Sequence, residues 1–353
     1  MTKNLKQNTL FQTNTFPKTR YQGSKYKLKS WIRHHLESLE FETALDAFSG
    51  TSSVSYVMKE MGKSVYSNDI LKFNALISKA LIENSSEEIT QEDFDAIVCK
   101  KEGVEYASFI ADTFGDIYFL YEENAWLDVV IQNIHKLSNE YKKAMFLWAL
   151  YQSCISKRPY NLFHRKNLYV RTSDVKRNFG NKTTWDKPFE EHFLKFIKEI
   201  NGAIFDNKKE NKSYQCDVFE LEVKADLVYI DSPYIPQKGS LTHYRDFYHF
   251  LDGLSDYYQW GTQIDYESKH LKLKSVYNIW EDKKRILEGF EKLIEKFQES
   301  ILLISYRSDG IPSIEDICDI LKRYDKKVRV EMIDYQYVLS KKKNLKEVLI
   351  IGE

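Results

Sequence analysis

Leu28, Trp31, Ile32, His35, Leu36 and Leu39 recur at three- and four-residue intervals, the spacing that gathers side chains on one face of a helix, and they predict a helix across Lys25 to Leu39. The short apolar run Ala44-Leu45-Asp46-Ala47-Phe48 predicts a buried strand running into a small-residue turn, Ser49-Gly50-Thr51-Ser52-Ser53. Val54 to Met61 reads as a helix stopped by Gly62, and Lys63 to Ile70 as a second strand ending in Asn68-Asp69. Strand, turn, helix and strand in that order open a parallel α/β sheet.

From about Asn74 to Lys212 the pattern turns helical, with no alternating strand runs. The α/β pattern returns at Asp226 to Asp231, an apolar strand with an acid at its carboxyl end. Arg285 to Phe297 predicts an amphipathic helix with Ile286, Leu287, Phe290, Leu293, Ile294 and Phe297 on one side. Strands are predicted at Ile301 to Ser305, Val328 to Met332, Tyr335 to Leu339 and Val348 to Ile351, with a turn at Lys341 to Asn344. The expectation is an α/β domain over 18–73 and 213–353, interrupted by a helical insertion over 74–212.

Composition adds limits. With 42% apolar and 29% charged residues the chain is globular, and it lacks the run of about 18 apolar residues that a membrane span needs. Met1 to Arg20 is polar and lacks a signal peptide's apolar core. Cys99, Cys154, Cys216 and Cys318 are scattered, without the spacing of a zinc site or disulfide framework. A cytoplasmic protein with reduced thiols and no metal is expected. Charge is balanced at 52 basic against 52 acidic residues, but unevenly placed. Glu87 to Asp128 carries 12 acidic and 2 basic residues, whereas Tyr141 to Lys187 carries 11 basic and 2 acidic. The basic stretch, with Tyr160, Phe163, Tyr169, Phe179 and Trp185, suits phosphate contacts. A solvated face balanced by the acidic stretch is the equally open alternative.

Three segments carry candidate chemistry. The turn at Asp46 to Ser53 lets a ligand approach the backbone and offers it the free N–H groups of a helix start. Asp69, about 20 residues further on at the end of the second strand, is placed to bind ribose hydroxyls or to cap the next helix. Asp231-Ser232-Pro233-Tyr234 sets a carboxylate, a rigid bend and a ring at the carboxyl edge of the sheet. An amine conjugated to a heteroaromatic ring is a poor nucleophile. Two acceptors on its N–H groups, the Asp231 carboxylate and the Ser232 carbonyl, would free its lone pair while Tyr234 stacks on the ring.

Arg20-Tyr21-Gln22-Gly23-Ser24-Lys25, Asp46 to Ser52, Asn68-Asp69 and Asp231 to Tyr234, in this order, resemble the motifs of N6-adenine DNA methyltransferases of the alpha group, the D12 or Dam-like class. Tyr244 to Trp260, Ser305 to Gly310 and the terminal strands through Glu347 to Ile350 resemble later parts of that family, so the likeness covers nearly the whole chain. It implies a Rossmann-like class I methyltransferase fold with a mixed sheet and an inserted target-recognition domain. S-adenosyl-L-methionine is the implied cofactor and double-stranded DNA the implied partner. The implied activity is transfer of a methyl group to a flipped-out adenine, as in the modification enzyme of a restriction–modification system whose endonuclease is encoded separately. Tyr21 and Lys25 would contact the cofactor, Asp46, Phe48 and Gly50 would shape its methionine end, and Asp69 would hold the ribose. Asp217 would reach its adenine, and Asp231 would touch the cofactor as well as the base. Asp231, Ser232, Pro233 and Tyr234 would form the transfer site. Arg20, Arg158, Arg165, Lys166, Arg171, Asn181 and Lys182 would contact DNA, the last two within Asn178 to Lys182, whose amides suit purine edges.

Two positions depart from the family: Ser232 stands where a proline is usual, and Ser52 where a second glycine is. Ser232 still presents a carbonyl, whereas Ser52 is expected to crowd the cofactor. Two other readings stay open. One is a methyltransferase for RNA or a protein amide, and the other is a DNA-binding relative without activity.

Overall fold

The computed structural model describes residues 15–18, 21–174, 182–237, 241, 243–335 and 345–353. Its strands are β1 (Thr43–Asp46), β2 (Ser64–Asn68), β3 (Lys212–Tyr214), β4 (Leu227–Ile230), β5 (Ile235–Pro236), β6 (Ile301–Arg307), β7 (Gly310–Ile311), β8 (Val328–Asp334) and β9 (Lys346–Gly352). Seven form one mixed sheet in the order β3-β2-β1-β4-β6-β9-β8. β3, β2, β1, β4 and β6 pair in parallel, and β9 runs antiparallel to both β6 and β8. β5 and β7 make a separate antiparallel ribbon.

The central strands are buried on both faces, which is why they read as apolar runs rather than as alternations. Successive side chains still point to opposite faces. Ala44, Leu227, Tyr229, Leu349 and Ile351 join one core, and Leu45, Val228, Ile230, Val348 and Ile350 join the other. The second core is closed by the helices Ile286–Lys296 and Ile314–Arg323. Leu287, expected inside, is 41% exposed at the margin of its helix's apolar stripe.

The first core continues from the helices Lys29–Leu36 and Ser53–Glu60 into the helical insertion. At its centre lies Glu140–Ser156, in which every residue from Ala144 to Ser156 is buried. The helix Tyr244–Ser255 enters this same core through Tyr248, Phe250, Leu251 and Leu254, so the chain after β4 returns to brace the insertion. Asp252 on that helix accepts a hydrogen bond from the Phe73 N–H (3.2 Å), tying it to the start of Lys72–Ser78.

Tyr335 lies outside any strand, and the rest of the strand expected at Tyr335 to Leu339, with the turn at Lys341 to Asn344, falls outside the described residues. β3, the β5–β7 ribbon and the helix Ile314–Arg323 were not anticipated. Among the described residues no helix is long and apolar enough to cross a membrane.

Candidate active site

In a parallel sheet the strand ends on one edge meet the turns that hold ligands. Asp46 ends β1, Asp69 follows β2, and Asp231 follows β4. β9 is antiparallel, so its first residues reach that same edge, with Glu347 opposite Arg307. These acids surround a cavity of about 1710 Å³ that also takes in Tyr21, Lys25, Phe48, Gly50, Asp217, Ser232, Pro233 and Tyr234. The structure thus gathers every expected catalytic and cofactor residue around one space.

Lys25 stands at the centre of the charges. Its ammonium lies 2.8 Å from Asp231 Oδ1 and 3.1 Å from Glu347 Oε1. Burial alone would lower its pKa, but the two carboxylates outweigh burial and hold it well above the ordinary lysine value. Burial pushes the Asp231 carboxyl up to about 6, with Lys25 pulling down and Glu347 pushing up. Among the described residues no protein group donates to Asp231 Oδ2. The ring of Tyr234 is fixed by the Arg307 guanidinium 5.4 Å from its centroid and by an edge-on contact with Tyr306. Arg307 is held in turn by Asp309.

Asp46 is buried, with one oxygen held by the Ser55 hydroxyl and N–H. Among the described residues its Oδ1 has no partner, and burial pushes the carboxyl up to about 7. Asp69 accepts from the N–H groups of Gly50 (2.9 Å) and Leu71 (2.9 Å) and from the Asn74 amide (3.1 Å). It therefore braces the small-residue turn and the next helix, and of about four lone-pair positions on a carboxylate it keeps about one for a ligand. Burial pushes it up to about 6. Tyr21 is stacked between Tyr248 and Tyr244, centroids 4.3 and 5.9 Å away. Gly23 at φ +86° lies under Tyr244, whose hydroxyl would sit 2.4 Å from an added Cβ. Phe48 meets Trp280 edge-on, and Trp280 stacks on Phe219 two residues beyond Asp217.

Ser52 does not crowd the cavity. Its backbone is left-handed (φ 61°), and its hydroxyl turns away to Ser78 Oγ (2.7 Å). His243 pairs with Glu281 at 2.7 Å.

The basic stretch needs a larger correction. Arg158 is buried, donates to the carbonyls of Leu162, Tyr118 and Arg165, and lies over the Tyr118 ring. Arg171 is buried in a two-pronged pair with Glu123, which also binds Lys157. Neither arginine can reach a phosphate. Lys142 pairs with Asp93, so the acidic and basic stretches partly neutralise each other inside the insertion. Phe163 and Trp185 are core residues. Arg165, Lys166 and Lys182 are exposed, as are Tyr160 (65%) and Tyr169 (68%). Arg165 and Tyr160 stand at the cavity wall. Tyr160 and Asn161 both take left-handed backbone there (φ 64° and 59°), a conformation rare for residues with a side chain. Arg20 and the segment Asn178 to Asn181 lie outside the described residues.

Glu347 was missed. A single acid in a terminal strand carries no local pattern, and only the antiparallel pairing of β9 brings it to Lys25. Among the described residues no cluster of His, Cys, Asp or Glu is arranged to hold a metal ion.

Residues 21–308 match the family model for D12 class N6 adenine-specific DNA methyltransferases. The chain is 32% identical to the type II methyltransferase M2.HphI of Haemophilus parahaemolyticus over 93% of its own length and 94% of that protein. It is 27% identical to the modification methylase StsI of Streptococcus sanguinis and 25% identical to the modification methylase LlaI of Lactococcus lactis, over 91% and 93% of its length. It spans about half of each of those two larger proteins, 49% and 52%.

Proposed function

Since the chain belongs to the D12 class of N6-adenine-specific DNA methyltransferases, we propose that its cavity takes S-adenosylmethionine beside Asp46 and Asp69, and a flipped-out adenine beside Asp231. The observation that carries this reading is the division of labour on Asp231: Oδ1 is taken by Lys25, and Oδ2 is left for an incoming donor.

The cofactor fits the residues present. Among the described residues the buried Asp46 Oδ1 has no partner, and such an acceptor is costly until a donor such as an ammonium arrives. Asp69 keeps about one lone-pair position for a ribose hydroxyl. Phe48, Trp280 and Asp217 offer flat faces and an acceptor to a nucleobase. When bound, S-adenosylmethionine supplies a methyl group made electrophilic by its sulfonium.

Asp231 Oδ2 and the Ser232 carbonyl accept the two N–H groups of the adenine amine and turn its lone pair out of conjugation. Pro233 fixes the bend, and Tyr234, held by Arg307 and Tyr306, stacks on the base. Asp231 Oδ2 is placed to take the proton that the amine gives up. Preorganised acceptors of this kind act without rearrangement at the moment of reaction. The adenine must leave the duplex to reach them. The helical segment 74–212 acts as the target-recognition unit, with Arg165, Lys166 and Lys182 on phosphates and Tyr160 and Tyr169 beside the opened duplex. The names of its relatives, the modification methylases StsI and LlaI, support a place in a restriction–modification system; a cytoplasmic location and a separately encoded endonuclease complete the proposal.

The test is transfer of labelled methyl groups to duplex DNA, followed by mass spectrometry of the nucleosides. N6-methyldeoxyadenosine at one sequence context is expected. Label in RNA or protein, or DNA binding without transfer, would replace this reading by one of its alternatives.

A further inference from the structure

Lys25 already has a partner in Asp231. The second carboxylate, Glu347, is 1% exposed and also receives a hydrogen bond from Ser305 Oγ at 3.0 Å. Burying a carboxylate is costly, and one lysine neutralises only one acid. Packing alone gives no reason to spend a second charge here, because an apolar side chain would fill the same place at lower cost.

We propose that Glu347 is a positioning residue for methyl transfer: it anchors the Lys25 ammonium, so that Lys25 holds Asp231 through Oδ1 and leaves Oδ2 for the amine. This rests on the reading of Asp231 as the amine acceptor. An ammonium tethered at one point could swing across both Asp231 oxygens and occupy the one the substrate needs. Tethered at two points, it is confined to the 2.8 Å contact with Oδ1. Sharing Lys25 between two carboxylates also leaves Asp231 with more of its negative charge, which keeps it a strong acceptor.

Among the described residues the charged and titratable groups facing Asp231 are Lys25, Glu347, Asp46, Tyr229 and Tyr244. Of these, a Glu347→Gln variant changes one charge and keeps the shape and an oxygen for both Lys25 and Ser305. Because Glu347 pushes the Asp231 carboxyl up, the variant should ionise Asp231 at lower pH.

Single-turnover methylation of duplex DNA, at saturating cofactor and from about pH 5 to about pH 8, tests this together with calorimetric affinities for cofactor and DNA. For Glu347→Gln the rate should fall by about tenfold or more, as misplacement of a reacting group does. Its acid limb should move to lower pH, and both affinities should stay within about twofold, below the tenfold that 1.4 kcal/mol represents. Glu347→Met, which also removes the oxygens, should lose more. A wild-type rate and limb in Glu347→Gln overturn the inference, as does a rate loss with an unmoved limb, which would mean packing alone. Asp231→Ala, run in parallel, separates the two ideas. If it is inactive while Glu347→Gln is unaltered, only this inference fails; if it is fully active, the acceptor reading fails and takes this inference with it.

Discussion

Asp231 is protonated more readily than an ordinary aspartate because it is buried, and Lys25 offsets that only in part. Only its ionised form accepts two-sidedly, from Lys25 and from an amine. As pH falls through about 6, the ionised fraction drops about tenfold per unit, and the single-turnover rate should drop with it. A cationic cofactor favours the ionised form, so the limb is expected at or below that pH. A rate that stays flat down to about pH 4, the ordinary range of the group, would remove Asp231 from the chemistry. Ser232 is buried and its hydroxyl has no partner among the described residues, which fits a residue that works through its carbonyl. Ser232→Pro should therefore keep the rate within about threefold, well under the hundredfold that loss of a preorganised acceptor costs. A large loss in both Ser232→Pro and Ser232→Ala would give the hydroxyl a role of its own. Asp46, Asp69 and Asp231 were legible in the sequence because each ends a strand or follows one. Glu347 was not, and Arg158 and Arg171 were misjudged, because a charge count does not say which side of the surface a guanidinium faces.

At the scale of elements, the strands that build the site were legible because burial on both faces leaves continuous apolar runs. β3 was not: it is a three-residue edge strand, Lys212–Tyr214, with no fully buried side chain. The helix Ile314–Arg323 did carry a sequence sign, a capping box in which Ser313 and Asp316 bond each other's backbone, and the following Ile317, Ile320 and Leu321 are buried. It passed unread between two clearer strands. The insertion's central helix is buried all round, so it lacks the one-sided stripe that marks a surface helix. Its neighbours are joined by ions: Glu123 on the helix Tyr121–His135 binds both Lys157 and Arg171. Removing Arg171 takes one of two cations from the buried Glu123 and leaves Lys157 beside it, so the loss should stay below the cost of a buried charge left unpaired, about 3–5 kcal/mol. Arg171→Ala should thus lower the unfolding midpoint in denaturant and leave the salt dependence of DNA binding unchanged. Lys182→Ala should do the reverse, reducing the log–log salt slope by about one with stability intact. Equal effects of the two variants on the salt slope would restore Arg171 to the DNA surface.

For the whole molecule, a neutral chain binds a polyanion by placement rather than by net charge. Acidic and basic stretches partly neutralise each other within segment 74–212, while Arg165 stands exposed at the cavity wall. The fold brings four acids from β1, β2, β4 and β9 to one edge, and a lysine from the chain's start to their centre. A cationic methyl donor and a neutral amine suit that surplus of negative charge. The helix Tyr244–Ser255 packs into the same core as the helices of segment 74–212, so that segment and one face of the sheet share a packed interior. Single-turnover methylation of duplex DNA by Asp231→Ala, at saturating cofactor and with DNA affinity measured on the same preparation, asks whether Asp231 makes the amine reactive. The rate should fall by at least about 10²-fold, the cost of losing a preorganised acceptor, while DNA is still bound through the insertion. Methylation at the wild-type rate would mean that the amine is made reactive without Asp231.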